Sequence, residues 1–179
     1  MPRNEVPPEP WRSFFTEVNS RLAEDVQLHC CGGFVVTQMY GVARTTSDVD
    51  FLGVVPNVWS DLTAIGGKGS ALHHKHKVYL DAVTVATPPE NYEERLISMF
   101  PGAWHRLRLF AMEAHDLALS KLERNIERDR DDVQQLARAG HIKADILKER
   151  YYSELRPNLS NESRHDLTLE LWLESYWPV

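Results

Sequence analysis

Two aspartates, Asp48 and Asp50, open the apolar run Asp48-Val49-Asp50-Phe51-Leu52, and a glycine pair, Gly32-Gly33, closes an earlier apolar run. In a strand, residues two apart point to the same face, so the two carboxylates would project together. Side by side they repel unless positive charge lies between them. A hard divalent cation such as Mg²⁺ suits such a pair, taking oxygen ligands from one or two carboxylates and the rest from phosphates and water. A Gly-Gly turn opening a helix supplies the complement. It lets backbone N–H groups approach a phosphate closely, and the helix N-terminus favours negative charge. The combination reads as a phosphate-and-metal site. Thr45-Thr46-Ser47-Asp48 is also good turn chemistry, which accounts for Asp48 but not for Asp50 inside its apolar run.

Phosphoryl transfer with two metal ions calls for one more acid to share them. Asp81, in the run Val78 to Val85, is the candidate. Alternation puts it on a face with Tyr79, Val83 and Val85, where an unpaired charge would be costly. A partner is implied, either a metal or a salt bridge. Arg44 offers a planar fork suited to phosphate, or a surface ion pair with a local acid.

Gly32-Gly33, Tyr40-Gly41, Arg44-Thr45 and Asp48-Val49-Asp50 together resemble the signature of the polymerase-β-type nucleotidyltransferase superfamily. The closer likeness is to its toxin-like branch, related to AbiEii of type IV toxin–antitoxin systems. The core likeness covers roughly residues 26–85, and Asp116 to Gly140 resembles the helical segment of the same branch. Two departures stand out: a slightly longer spacer between Gly33 and Asp48, and Phe34 where many relatives carry a small or hydroxyl residue.

The resemblance implies an enzyme that transfers a nucleoside monophosphate from an NTP to an acceptor hydroxyl and releases pyrophosphate. It implies Mg²⁺ (or Mn²⁺) held by Asp48, Asp50 and Asp81, and a nucleotide contacted by Gly32, Gly33 and Arg44. It adds Lys121 and Asp129 as further catalytic candidates, an RNA acceptor such as a tRNA end, and an antitoxin protein as partner. Eight residues on a continuous helix turn about 80° beyond two full turns, so Lys121 and Asp129 could border one cleft. The same stretch carries Arg124, Glu127, Arg128, Arg130, Asp131 and Asp132, which also suits a solvated, charge-laced face, with Asp131 as a competing acid. Two alternatives come from other classes: a transferase acting on a small molecule or a protein hydroxyl, and a non-catalytic partner or antitoxin that keeps the fold. Three retained acids argue against the second.

These side chains need a scaffold, and 179 residues supply about one domain, or one domain with a helical extension. With 42% hydrophobic and 26% charged residues the composition is that of a soluble globular protein. No apolar run reaches the roughly 18–20 residues that span a bilayer, so no membrane role is expected. The Pro-rich leader Met1 to Trp11 lacks the apolar core of a signal peptide. Cys30 and Cys31 are the only cysteines and are adjacent, so two buried thiols and a cytoplasmic setting are expected. A net charge of −6 argues against indiscriminate nucleic-acid binding. Leu62 to Leu80 nevertheless holds no acid but contains Lys68, Lys75, Lys77 and three histidines, a natural contact for RNA or triphosphate.

Apolar spacing predicts helices over 11–24, 34–40, 57–65, 92–99, 115–122, 128–139, 142–155 and 166–176. Strands are expected over 26–31, 48–55, 77–85 and 106–112, with Pro56 and Pro88-Pro89 as stops. His73-His74-Lys75-His76 lacks the i, i+4 spacing of helical zinc ligands and reads as a polar turn. Trp172, Tyr176 and Trp177 read as packing residues. Strands first and helices later indicate an α/β (α+β) fold. Its elements are a small mixed sheet flanked by helices in a core over 1–112, and a helical C-terminal extension over 113–179.

Overall fold

A computed structural model describes residues 6–178. The chain forms two units: Met1–Thr84 with Leu96–Ala111, and Val85–Arg95 with Met112–Val179. Among the described residues no helix is long and apolar enough to cross a membrane.

In the first unit five strands, β1 (Val26–Cys31), β2 (Asp48–Val55), β3 (Tyr79–Ala82), β4 (Ile97–Met99) and β5 (Leu107–Ala111), form one mixed sheet ordered β3-β2-β1-β5-β4. β1 lies in the middle, antiparallel to β2 and parallel to β5, and all but Gln27 of it is buried. Val26, Leu28 and Cys30 form one buried face at period two, and His29 and Cys31 are buried on the other. β2 alternates instead. Val49 and Phe51 are fully buried, whereas Asp48 and Asp50 are half-buried on the other face. The register between β1 and β2 slips between His29 and Cys30, leaving Leu52 as an extra residue in β2. Such a bulge reverses the alternation, so Val54 returns to the core.

Helix α1 (Trp11–Arg21) buries Trp11, Phe14, Phe15 and Val18, a single face at helical spacing. Helix α2 (Gly32–Tyr40) follows β1 directly and ends at Gly41 in the left-handed region. Phe34 is fully buried, 4.9 Å from the Trp11 ring centroid and 5.7 Å from that of Phe15. The departure at this position is therefore a packing residue, worth about 1.5–3 kcal/mol of burial, that pins the start of α2 to α1. Helices α3 (Trp59–Gly66) and α4 (Ala71–His76) complete the unit and pack against α1.

Several expectations need correction. Residues 92–99 are not a helix but a 3₁₀ turn, Tyr92–Arg95, followed by β4 on the sheet edge. Arg95 is drawn into a charge network with Asp116 and Glu154, and long-range pairing with β5 outweighs the local helical pattern. The histidine cluster is a helix, α4, because Ser70 Oγ accepts from the His73 N–H at 3.1 Å and Lys77 terminates it at φ 62°. The strand expected over 77–85 shortens to β3, and Val85 is 84% exposed.

The second unit is helical: α5 (Ala114–Leu119), α6 (Glu127–Arg138), α7 (Ala144–Arg150) and α8 (Glu162–Tyr176). A π-helical turn, Tyr151–Leu155, follows α7. Asp116, fully buried in α5, accepts two hydrogen bonds from Arg95, at 2.7 and 3.0 Å, and one from Arg150 at 3.1 Å. Trp172 is buried and its indole N–H donates to Asn125 Oδ1 at 3.1 Å, a packing role.

Candidate active site

The β2–β3 pairing is parallel and sets Asp50 directly beside Asp81, while β1–β2 sets Cys31 beside Asp50. Cys31, Asp50 and Asp81 thus form one row across three strands. Asp48 stands two residues earlier on the same face, opposite Tyr79. One carboxylate oxygen from each of Asp48, Asp50 and Asp81 lies within 4.8 Å of the other two. Among the described residues this is the one group of His, Cys, Asp or Glu side chains placed to hold a metal ion. A donor set of carboxylate oxygens, with no nitrogen or sulfur, suits Mg²⁺ or Mn²⁺.

The surroundings hold the acids in place. Thr46 Oγ1 donates to Asp48 Oδ1 at 2.7 Å, so the turn before β2 orients the first carboxylate. Gly32 has φ +67°, and a Cβ there would lie 1.9 Å from Asp50 Oδ2. Only glycine lets this carboxylate lie against the first turn of α2. At Gly33 a Cβ would lie 2.9 Å from Arg44 Cζ. The glycine pair therefore makes room for Asp50 and Arg44, and the half-buried guanidinium comes to rest on the start of α2.

Asp81 is exposed, contrary to the apolar surroundings that alternation implied. Its strand ends one residue later, and of its expected apolar neighbours Tyr79 and Val83 are half-buried while Val85 is exposed. Among the described residues its carboxylate makes no hydrogen bond or ion pair. The local negative charge reaches its neighbours. Burial, then the carboxylates of Asp48, Asp81 and Asp50, raise the Tyr79 phenol above its ordinary range. Burial and the Asp50 charge likewise push the Cys30 thiol far up, so this cysteine stays protonated and inert.

Lys121 and Asp129 belong to the second unit, and not to one continuous helix. α5 ends at Leu119, and Lys121 lies in the turn before α6. Lys121 is 6% exposed, with Nζ 2.9 Å from Asp132 Oδ2 and 3.6 Å from Asp129 Oδ1. Asp129 is fully buried, accepts two hydrogen bonds from Arg124 at 2.6 and 2.7 Å, and caps α6 by accepting from the Ile126 N–H at 3.3 Å. Burial opposes ionisation of Asp129, but the Arg124 hydrogen bonds and the charges of Lys121 and Arg124 outweigh it and hold its pKa low.

Of the charge-laced stretch, Arg124, Glu127, Arg128, Arg130 and Asp131 are solvent-exposed as expected, whereas Lys121, Asp129 and Asp132 form an interior ion-pair cluster. Asp132, not the exposed Asp131, is the partner of Lys121. The signal was present in the spacing. Asp129, Asp132, Val133 and Leu136 fall on one helical face and are all buried. Thr46 bonds Asp48 as the turn chemistry of Thr45 to Asp48 suggests, whereas the Tyr79 ring opposite Asp48 carries no local signature.

A family model described as "Nucleotidyltransferase of unknown function (DUF6036)" matches residues 14–176, nearly the whole chain. No curated protein and no solved structure matches it.

Proposed function

The chain belongs to this nucleotidyltransferase family, and we propose that it transfers a nucleoside monophosphate from an NTP to an acceptor hydroxyl with the help of Mg²⁺ or Mn²⁺. The observation that carries the proposal is the convergence of Asp48, Asp50 and Asp81, oxygens within 4.8 Å of one another, beside the Gly32 turn. A cation bound by these three carboxylates would neutralise triphosphate charge and polarise the reacting phosphoryl group.

The remaining roles fall to the chain itself. Thr46 holds Asp48 in orientation, and Gly32 lets Asp50 reach the start of α2. Arg44, on Gly33, presents a planar donor set for phosphate oxygens. The acceptor oxygen forms a bond to the α-phosphorus as the bond to pyrophosphate breaks, and the hydroxyl proton leaves to a carboxylate or to solvent. Rate enhancement by positioning and charge complementarity needs no covalent intermediate on the protein. For Lys121 and Asp129 the buried pairs with Asp132 and Arg124 support a positioning role in the second unit, holding the turn between α5 and α6.

Resemblance to the toxin-like branch makes an RNA end the first acceptor to test, with an antitoxin as partner. The net charge of −6 favours the second reading, a small-molecule or protein hydroxyl. Incubation with each α-labelled NTP, Mg²⁺, and separate RNA, protein and small-molecule pools decides between them. Label should enter one pool with wild-type protein and none with Asp50→Asn. Equal labelling by both proteins would overturn the assignment of the acids.

A further inference from the structure

The row that holds the acids continues past Asp81 into the Lys68 loop, part of the acid-free stretch expected to contact RNA or triphosphate and given no specific role by the proposed function. Gly67 bridges Leu80 in the parallel sense, so the chain there runs as a short extension of the sheet beside β3. In that register Lys68 follows Gly67 as Asp81 follows Leu80. The Lys68 ammonium lies 5.7 Å from the centroid of the Tyr79 ring. Tyr79 and Asp81 are two residues apart on one strand and share a face, the face that bears the acids.

The loop is held from several sides. The Gly67 N–H donates to Thr63 O at 2.9 Å, Ser70 N–H to Gly67 O at 3.0 Å, and Gly69 N–H to His73 Nδ1 at 2.9 Å. A Cβ on Gly67 would lie 2.4 Å from Thr63 O, so glycine is required for this path. The His73 ring packs edge-on against Tyr79, centroids 4.8 Å apart, which fixes the ring that carries the lysine.

Lys68 also differs from Lys75 and His76 on α4. Lys75 Nζ is engaged by Glu17 at 2.5 Å, and His76 Nε2 by the same carboxylate at 2.9 Å. Lys68 is exposed, and among the described residues it has no carboxylate within ion-pair distance. A cation placed on the Tyr79 ring, next in register to Asp81 and ion-paired to none of the three acids, is set to meet an anion that arrives with the metal.

We propose that Lys68, steered by the Tyr79 ring, binds the pyrophosphate portion of the substrate, the β- and γ-phosphates that leave as product. The proposal rests on the nucleotidyltransferase reading of the acid site. An ammonium is a compact point charge suited to phosphate oxygens that gain charge as the leaving group departs. The aromatic face holds the charge at modest cost and releases it to a stronger anionic partner.

Binding separates the two ideas. Mn²⁺ affinity is read by electron paramagnetic resonance and Mn²⁺–pyrophosphate affinity by calorimetry, on the full chain. Lys68→Ala should leave Mn²⁺ affinity within about twofold, since the carboxylates are untouched. It should weaken pyrophosphate roughly 10- to 100-fold, the scale of one charge-assisted contact. Lys68→Arg should recover most of that loss, Tyr79→Leu should reproduce part of it, and Lys75→Ala should match wild type. Pyrophosphate binding that is equal in wild type and Lys68→Ala, or absent in a wild type that binds Mn²⁺, overturns the role of Lys68 and leaves the metal site standing. A wild type that binds no Mn²⁺ overturns both.

Discussion

The two units handle aspartate in opposite ways. In the second, Asp116, Asp129 and Asp132 are almost wholly buried, and each is met by a cation: Arg95 and Arg150, Arg124 and Lys121, and Lys121 respectively. In the first, Asp48, Asp50 and Asp81 are half-buried or exposed and crowd one another. A buried carboxylate without a partner is so unfavourable that the fold supplies one, whereas a partly solvated cluster tolerates its own repulsion and leaves room for a ligand. The interior acids are neutralised by cations of their own unit, and the three wetter ones lie close enough together to hold a cation.

The contrast breaks most visibly if a buried acid can be neutralised without penalty. Asp116→Asn leaves Arg95 and Arg150 facing an amide, and an expected loss of about 3–5 kcal/mol should appear in urea denaturation. An unchanged midpoint would place Asp116 with the dispensable ion pairs. Asp50→Asn should do the reverse. Relief of repulsion should keep the metal-free fold as stable as wild type or more so, while turnover falls by about two orders of magnitude or more, close to 2.7 kcal/mol of lost transition-state stabilisation. Melting curves with and without Mg²⁺ and nucleotide check both halves, and an unfolded Asp50→Asn protein would make this residue structural too.

Acid sharpens the comparison. Burial opposes ionisation of Glu113, yet His115 and Arg150 overcome it and bring its pKa down to about 2. A depressed carboxylate contributes stability above its unfolded pKa and loses it as pH falls through the folded one. The contribution of Glu113 should fade between about pH 4.5 and pH 2. Asp129, also depressed, should fade in the same direction. Melting temperature measured down this range should fall less steeply in Glu113→Gln than in wild type, and parallel curves would remove Glu113 from the network. The smallest effect is expected at Arg130, an exposed side chain that donates to the Asn125 carbonyl. Arg130→Ala should shift stability by at most about 0.5 kcal/mol and leave turnover as it was. A large loss there would extend the charge network to the helix surface.

The amino-acid sequence by itself determined the elements around the acid pair. The ends of β1 and β2 follow from period-2 patterning bounded by Gly32-Gly33 and Pro56, all local signals. The glycine pair, the Asp48–Asp50 spacing and the mixed α/β character were legible for the same reason. The tertiary structure alone decided which residues meet. Asp81 comes beside Asp50 through a parallel strand pairing, and β4 replaces a helix because an edge of β5 was open to it. Asp129 and Asp132 are interior because Arg124 and Lys121 lie beside them, with Lys121 in a turn and not on a continuous helix. Strand register and buried ion pairs join residues far apart in the chain. Their free energy depends on what is excluded from water at that point, and no short stretch of sequence carries that information.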